Sequence, residues 1–94
     1  METLQSPTLV EKESIAGLSF KNPVAFDQDP GLFSKLQDAA RLGNLEKVKF
    51  QIDFYSDSGP KSVRTTVWAT GNKFICLKGG LWIHISKIVD IRLI

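Results

Sequence analysis

The sequence predicts a mainly β protein: a small five-stranded antiparallel barrel preceded by one α-helix. Two patterns and a length carry this expectation. Apolar residues recur at spacings of three and four before Asn44 and alternate strictly after Glu46. Turn residues (Gly, Asn, Ser, Pro) cut the second half into short runs suited to strands. With 94 residues the chain can bury one modest core, and closing five short strands on themselves removes most edges that an open sheet leaves unpaired.

Residues 1–28 show no steady periodicity and read as an N-terminal tail, partly disordered or docked on the domain formed by residues 29–94. Its stretch from Ile15 to Phe26 is too apolar for a pure linker and is the part expected to dock. Asp29 can cap a helix by accepting backbone N–H bonds, and Pro30 suits the first helical position. Leu32, Phe33, Leu36, Ala39 and Ala40 then form one apolar stripe, and Gly43-Asn44 reads as a left-handed stop. A helix is therefore expected from about Pro30 to Leu42.

The strands follow in order. Val48, Phe50, Ile52 and Phe54 alternate with polar residues in the first. Ser56 to Pro60 is turn chemistry, and Val63, Thr65, Val67 and Ala69 mark the second. Gly71-Asn72 is a two-residue hairpin signal before a third strand, Lys73 to Leu77. Gly79-Gly80 reads as another tight turn, followed by Leu81 to Ile85 and, after Ser86-Lys87, by Ile88 to Leu93.

These turns predict registers. A Gly71-Asn72 loop sets Ala69 opposite Phe74, and a Gly79-Gly80 loop sets Leu77 opposite Trp82. The inner face would then hold Phe50, Val67, Ala69, Phe74, Cys76, Ile83 and Ile85. The outer face would hold Trp68, Ile75, Leu77, Trp82 and His84. Pairing Phe54 with Val63 in the first hairpin puts Asp53 opposite Arg64 and Lys49 opposite Trp68, both favourable cross-strand pairs. An outer patch of this kind needs cover. The helix or the Ile15–Phe26 segment would supply it from within, the reading favoured by the small size of the domain. A second copy or another macromolecule would supply it from outside.

Charge restricts the partners. Residues 1–44 carry four basic and six acidic side chains, and residues 45–94 carry eight and four, for a formal total of +2. The second half is mildly basic without a dense Lys/Arg stripe. Cys76 is the single cysteine, so no internal disulfide forms, and no Cys/His spacing suits zinc. His84, the single histidine, has no orienting carboxylate at a telling spacing, and Cys76 reads as an inert core residue. No catalytic constellation, metal, cofactor or small-molecule substrate is expected. The N-terminal acidic residues Glu2, Glu11 and Glu13 and the lack of a long apolar run predict neither a signal peptide nor a membrane span, and hence a cytoplasmic setting.

The segment Leu81-Trp82-Ile83-His84-Ile85-Ser86-Lys87-Ile88-Val89-Asp90-Ile91 resembles the closing strand, short turn and last strand of bacterial Sm-like and SH3-like barrels. The helix entry Gln28-Asp29-Pro30 resembles that of the bacterial Sm-like RNA chaperone, and the helix-plus-barrel layout is similar to that of the small bacterial inhibitors of the terminator Rho. The chain departs from these families where their function resides. Val63 to Thr70 runs without the glycine of the Sm second strand, and His84 sits between isoleucines rather than in a Lys-His pair. The acidic surface of the Rho inhibitors has no counterpart in the basic second half. The resemblance therefore implies the fold and no functional residues.

The leading expectation is a non-catalytic protein-interaction or self-association module acting through Trp68, Ile75, Leu77, Trp82 and His84, edged by Lys49 and Arg64. The alternative is an RNA or single-stranded nucleic-acid binder of Sm-like type, with Trp68, Trp82 and Tyr55 as stacking platforms near Lys47, Lys49, Arg64 and Lys78.

Overall fold

The computed structural model describes residues 8–21 and 28–94. Val24 and Phe26, from the stretch expected to dock, lie outside these residues, as do residues 1–7. Among the described residues the fold is mainly β, with seven strands in two sheets and one α-helix. The order is β1 (Thr8–Leu9), α1 (Leu32–Glu46), β2 (Phe50–Ser56), β3 (Gly59–Thr65), β4 (Val67–Thr70), β5 (Phe74–Leu77), β6 (Leu81–His84) and β7 (Ile88–Leu93). One sheet runs β1-β3-β2-β7 and the other β4-β5-β6.

The expected second strand is divided. Alternation reads straight through Val63, Thr65 and Val67, but Thr66 belongs to neither β3 nor β4, and the chain passes there from one sheet to the other. Thr65, Thr66 and Val67 are all buried in succession, a sign of a bend that periodicity does not record. β1, only two residues long, pairs in parallel with β3 (Leu9 with Ser62).

The tail segment docks where its apolar residues allow. A 3-10 turn over Lys12–Gly17 inserts Ile15 into the core, and Phe20 lies against Phe54 with ring centroids 6.0 Å apart. The Asp57 N–H donates to the Ser19 carbonyl at 2.8 Å, fastening the same segment to the β2–β3 turn.

α1 begins at Leu32, two residues later than expected, and Gly31 rather than Asp29 is the capping position, with Asp29-Pro30 forming the turn that leads into it. The Gly31 N–H donates to Asp29 Oδ1 at 3.0 Å, and Leu32 N–H donates to the Asp29 carbonyl. The helix does not stop at Gly43-Asn44. It runs on to Glu46 and ends at Lys47, which adopts the left-handed conformation at φ 56°. Gly43 serves packing instead: a Cβ there would sit 2.2 Å from the Val67 carbonyl oxygen. Leu32, Leu36, Ala39 and Ala40 face Ile52, Phe54, Val63, Ile75, Leu77 and Ile88 in one continuous core.

An exposed ion network joins the start of the helix to β7. Lys35 Nζ lies 3.0 Å from Asp29 and 3.1 Å from Asp90. The Gly31 N–H and then the Lys35 ammonium hold the Asp29 carboxyl below its usual 3.8. Asp29 and then Asp90 hold Lys35 above its usual 10.5. A lowered carboxylate stabilises the fold above its unfolded value and loses that contribution as pH falls through the folded one; a raised ammonium contributes below its unfolded value and loses this as pH rises through the folded one. Replacing Lys35 with methionine is thus expected to lower the melting temperature slightly at neutral pH. The difference from wild type should shrink in acid as Asp29 protonates, which thermal scans across pH will check. The effect is small because both groups are open to water.

Candidate functional site

The strand registers decide which expected site residues share a surface. The turn after β5 has three residues, Lys78-Gly79-Gly80, with Leu77 opposite Leu81 and with both glycines at positive φ (94° and 81°). A two-residue loop was expected. The extra residue moves the pairing by one and exchanges the faces of β5 relative to β6. Ile75 is thus opposite Ile83, and Cys76 opposite Trp82.

Three expectations are corrected. Ala69 is exposed and lies opposite Cys76 rather than Phe74, because the turn before β5 is longer than Gly71-Asn72. Ile75 and Leu77 are fully buried members of the core and cannot form an outer patch. Phe74, expected inside, is 44% exposed and meets Trp82 edge-on at 6.4 Å and the His84 ring at 4.7 Å. Cys76 is buried, as expected.

The other site residues fall into two groups. Trp82 (58% exposed) and half-buried His84 stay on the outer face of the three-stranded sheet with Phe74. His84 Nδ1 accepts from the Ser86 N–H at 3.2 Å, which caps the short 3-10 turn Ile85–Lys87. Trp68 (45% exposed) lies at the irregularity in β4 between Val67 and Ala69, and its carbonyl accepts from the Asn44 amide at 2.9 Å.

Lys49 belongs with Trp68, and Arg64 borders the cavity beside them. The first hairpin pairs Ile52 with Val63, two residues from the expected register, so Arg64 faces Gln51 and donates to its Oε1 at 3.0 Å. Asp53 instead faces Ser62 and pairs with Arg92 at 2.8 Å. Lys49 and Trp68 are not a cross-strand pair, yet both border a cavity of about 210 Å³ between the end of α1 and the sheet. Gly43, Asn44 and Lys47 form the helix side of that cavity.

A second cavity of about 320 Å³ adjoins it. Lys12, Glu11 and Glu13 from the tail form one wall, and Arg64 and Thr65 of β3 contribute to the other. Lys49, Thr66 and Lys78 border both cavities and form the saddle between them. The Lys78 N–H donates to the Thr66 carbonyl at 2.9 Å, which fixes the start of the β5–β6 turn beside the bend. Five cations (Lys12, Lys47, Lys49, Arg64, Lys78) thus line a groove that also holds the exposed indole of Trp68, against two carboxylates. Lys47, Lys49 and Lys78 make no ion pair among the described residues.

Lys12 is the member that sequence reasoning missed. It reaches the groove only because the tail docks through Ile15, and no periodicity in the tail announces this. Tyr55, considered as a stacking platform, lies on β2 opposite Pro60 and does not border the groove.

No three His, Cys, Asp or Glu side chains among the described residues are grouped to hold a metal ion, and no helix is long and apolar enough to cross a membrane. No family model, curated protein or solved structure matches the chain.

Proposed function

We propose that this domain binds single-stranded nucleic acid, without catalysing a reaction on it, along the groove centred on Lys49, Thr66 and Lys78. The observation that carries this reading is that Lys47, Lys49 and Lys78 share one cavity with the exposed Trp68 indole, while Lys12 and Arg64 line the cavity adjoining it. Unpaired ammonium groups beside cavities attract phosphates and release the counterions condensed on them, while an indole face accepts any base by stacking. The burial of Ile75 and Leu77 also moves the weight away from an apolar docking patch, since half of the expected apolar surface is inside the core.

The accompanying fold reading is a small barrel of the Sm-like or SH3-like kind. Its support is that β3 runs into β4 through the single residue Thr66, so that one bent strand serves both sheets. The experiment for the functional reading is a titration of a labelled single-stranded oligonucleotide at several salt concentrations. Binding that weakens steeply with salt and is lost on Trp68→Ala is the expected result; no binding even at low salt would sink the proposal.

A further inference from the structure

The two sheets end in strand edges that are not equally protected. At one end of the larger sheet β1 is only two residues long. At the other end β7 carries Asp90 and Arg92, and the Gln28 side-chain amide donates to the carbonyls of Ile85 and Ile88. In the smaller sheet β4 packs on α1 and receives the Asn44 amide on its Trp68 carbonyl. Among the described residues β6 has none of these protections along its length, the Gln28 amide reaching only the Ile85 carbonyl just past its end. Its sequence, Leu81-Trp82-Ile83-His84, contains no lysine, carboxylate or proline, and its pairing with β5 is regular throughout. Natural edge strands are normally blunted by one of those devices, because an open row of N–H and C=O groups invites another strand.

The hydrogen-bond phase identifies the open groups. Ile85 N–H donates to the Lys73 carbonyl, so in an antiparallel ladder the pairs Ile75–Ile83 and Leu77–Leu81 exchange bonds. The backbone groups of Trp82 and His84 therefore point away from β5, toward the open edge. Beside that edge lies the exposed Phe74–Trp82 pair.

We infer that the protein self-associates by pairing β6 with β6 of a second copy, antiparallel about a two-fold axis. A second copy suits this edge because β6 is self-complementary. It holds no lysine, arginine or carboxylate, so two copies brought side by side meet no like charge from those residues. A two-fold axis perpendicular to the sheet also keeps both outer faces on the same side. It joins the two Phe74–Trp82 pairs into one apolar strip and two three-stranded sheets into one of six. This association uses a different surface from the cationic groove and does not depend on it.

The test is light scattering of the full chain from micromolar to millimolar concentration, with no nucleic acid present, alongside amide hydrogen exchange. Wild type should shift from the 10.5 kDa monomer to twice that mass. The Trp82 and His84 amides should gain protection as it does so. Trp82→Lys, which restores the charge that edges usually carry, should remain monomeric with its far-ultraviolet dichroism unchanged. Because Trp82 is exposed, the fold should tolerate this change; should the variant unfold, the exchange of wild-type Trp82 and His84 decides alone. A wild type that stays monomeric to millimolar concentration overturns the inference. So does a dimer in which those two amides exchange as fast as in the monomer.

Discussion

Gly43→Ala is expected to destabilise the protein by about 2–3 kcal/mol, the cost of forcing extra volume into a packed contact. The sign is the informative part. In an exposed helix the same change would stabilise by up to ~1 kcal/mol, because alanine favours helix and glycine does not. Gly43 is buried within α1, and a Cβ would lie 2.2 Å from the Val67 carbonyl and 3.0 Å from Thr66 Cγ2. Neither neighbour is free to withdraw. Val67 pairs with Leu77, and the Thr66 carbonyl accepts from Lys78. The helix must lift from the bend instead, stretching the Asn44–Trp68 bond and widening the smaller cavity. Urea denaturation measures the change in stability; a variant as stable as wild type would mean that the helix does not press on the bend.

The second large effect concerns the groove. Replacing both Lys49 and Lys78 with alanine is expected to weaken single-stranded oligonucleotide binding at least about tenfold, or ~1.4 kcal/mol. The salt dependence should also become shallower, by roughly 1.4 in the log–log slope, because two phosphate contacts on a single strand each contribute about 0.7. Both side chains are exposed and unpaired among the described residues, so the melting temperature should hardly move. Lys73→Ala, in the turn between β4 and β5 and outside both cavities, serves as the control for a general loss of charge. A double variant that changes affinity no more than this control would place the contact surface elsewhere.

Much of the fold was legible because it depends on local chemistry. Asp29-Pro30 places the helix start to within two residues, and the change from helical to alternating period marks where the sheet begins. The boundaries of β7 agree with those expected. What escaped was set by tertiary geometry or by loop length. Gly43 looks like a stop signal, but its lack of a side chain is needed by Val67 across the interface. A turn of Lys78-Gly79-Gly80 and one of Gly79-Gly80 differ by a single residue, and that residue decides whether Ile75 or Phe74 faces the core. The bend at Thr66 leaves no mark in the alternation. For the site, the sequence placed Lys49 near Trp68, but through a cross-strand pairing that the first hairpin does not have, and Arg64 borders only the adjoining cavity. Lys12 could not be placed, because it reaches the groove through long-range docking of the tail.

The larger sheet also has a kinetic consequence. Beside the β2–β3 hairpin, its pairings join distant parts of the chain: β2 finds β7, and β1 finds β3. The smaller sheet is built from consecutive hairpins. Closing long loops costs entropy before any contact repays it, so folding belongs on the millisecond-to-second scale of β topologies rather than the microsecond scale of helical bundles. The β2–β3 hairpin and the β4-β5-β6 meander need only local closure, and until α1 and β7 pack on them Ile75 and Leu77 present an apolar face. That face is then open to water and to other chains, so the slow step in assembling the larger sheet is also the interval of greatest exposure to misassociation.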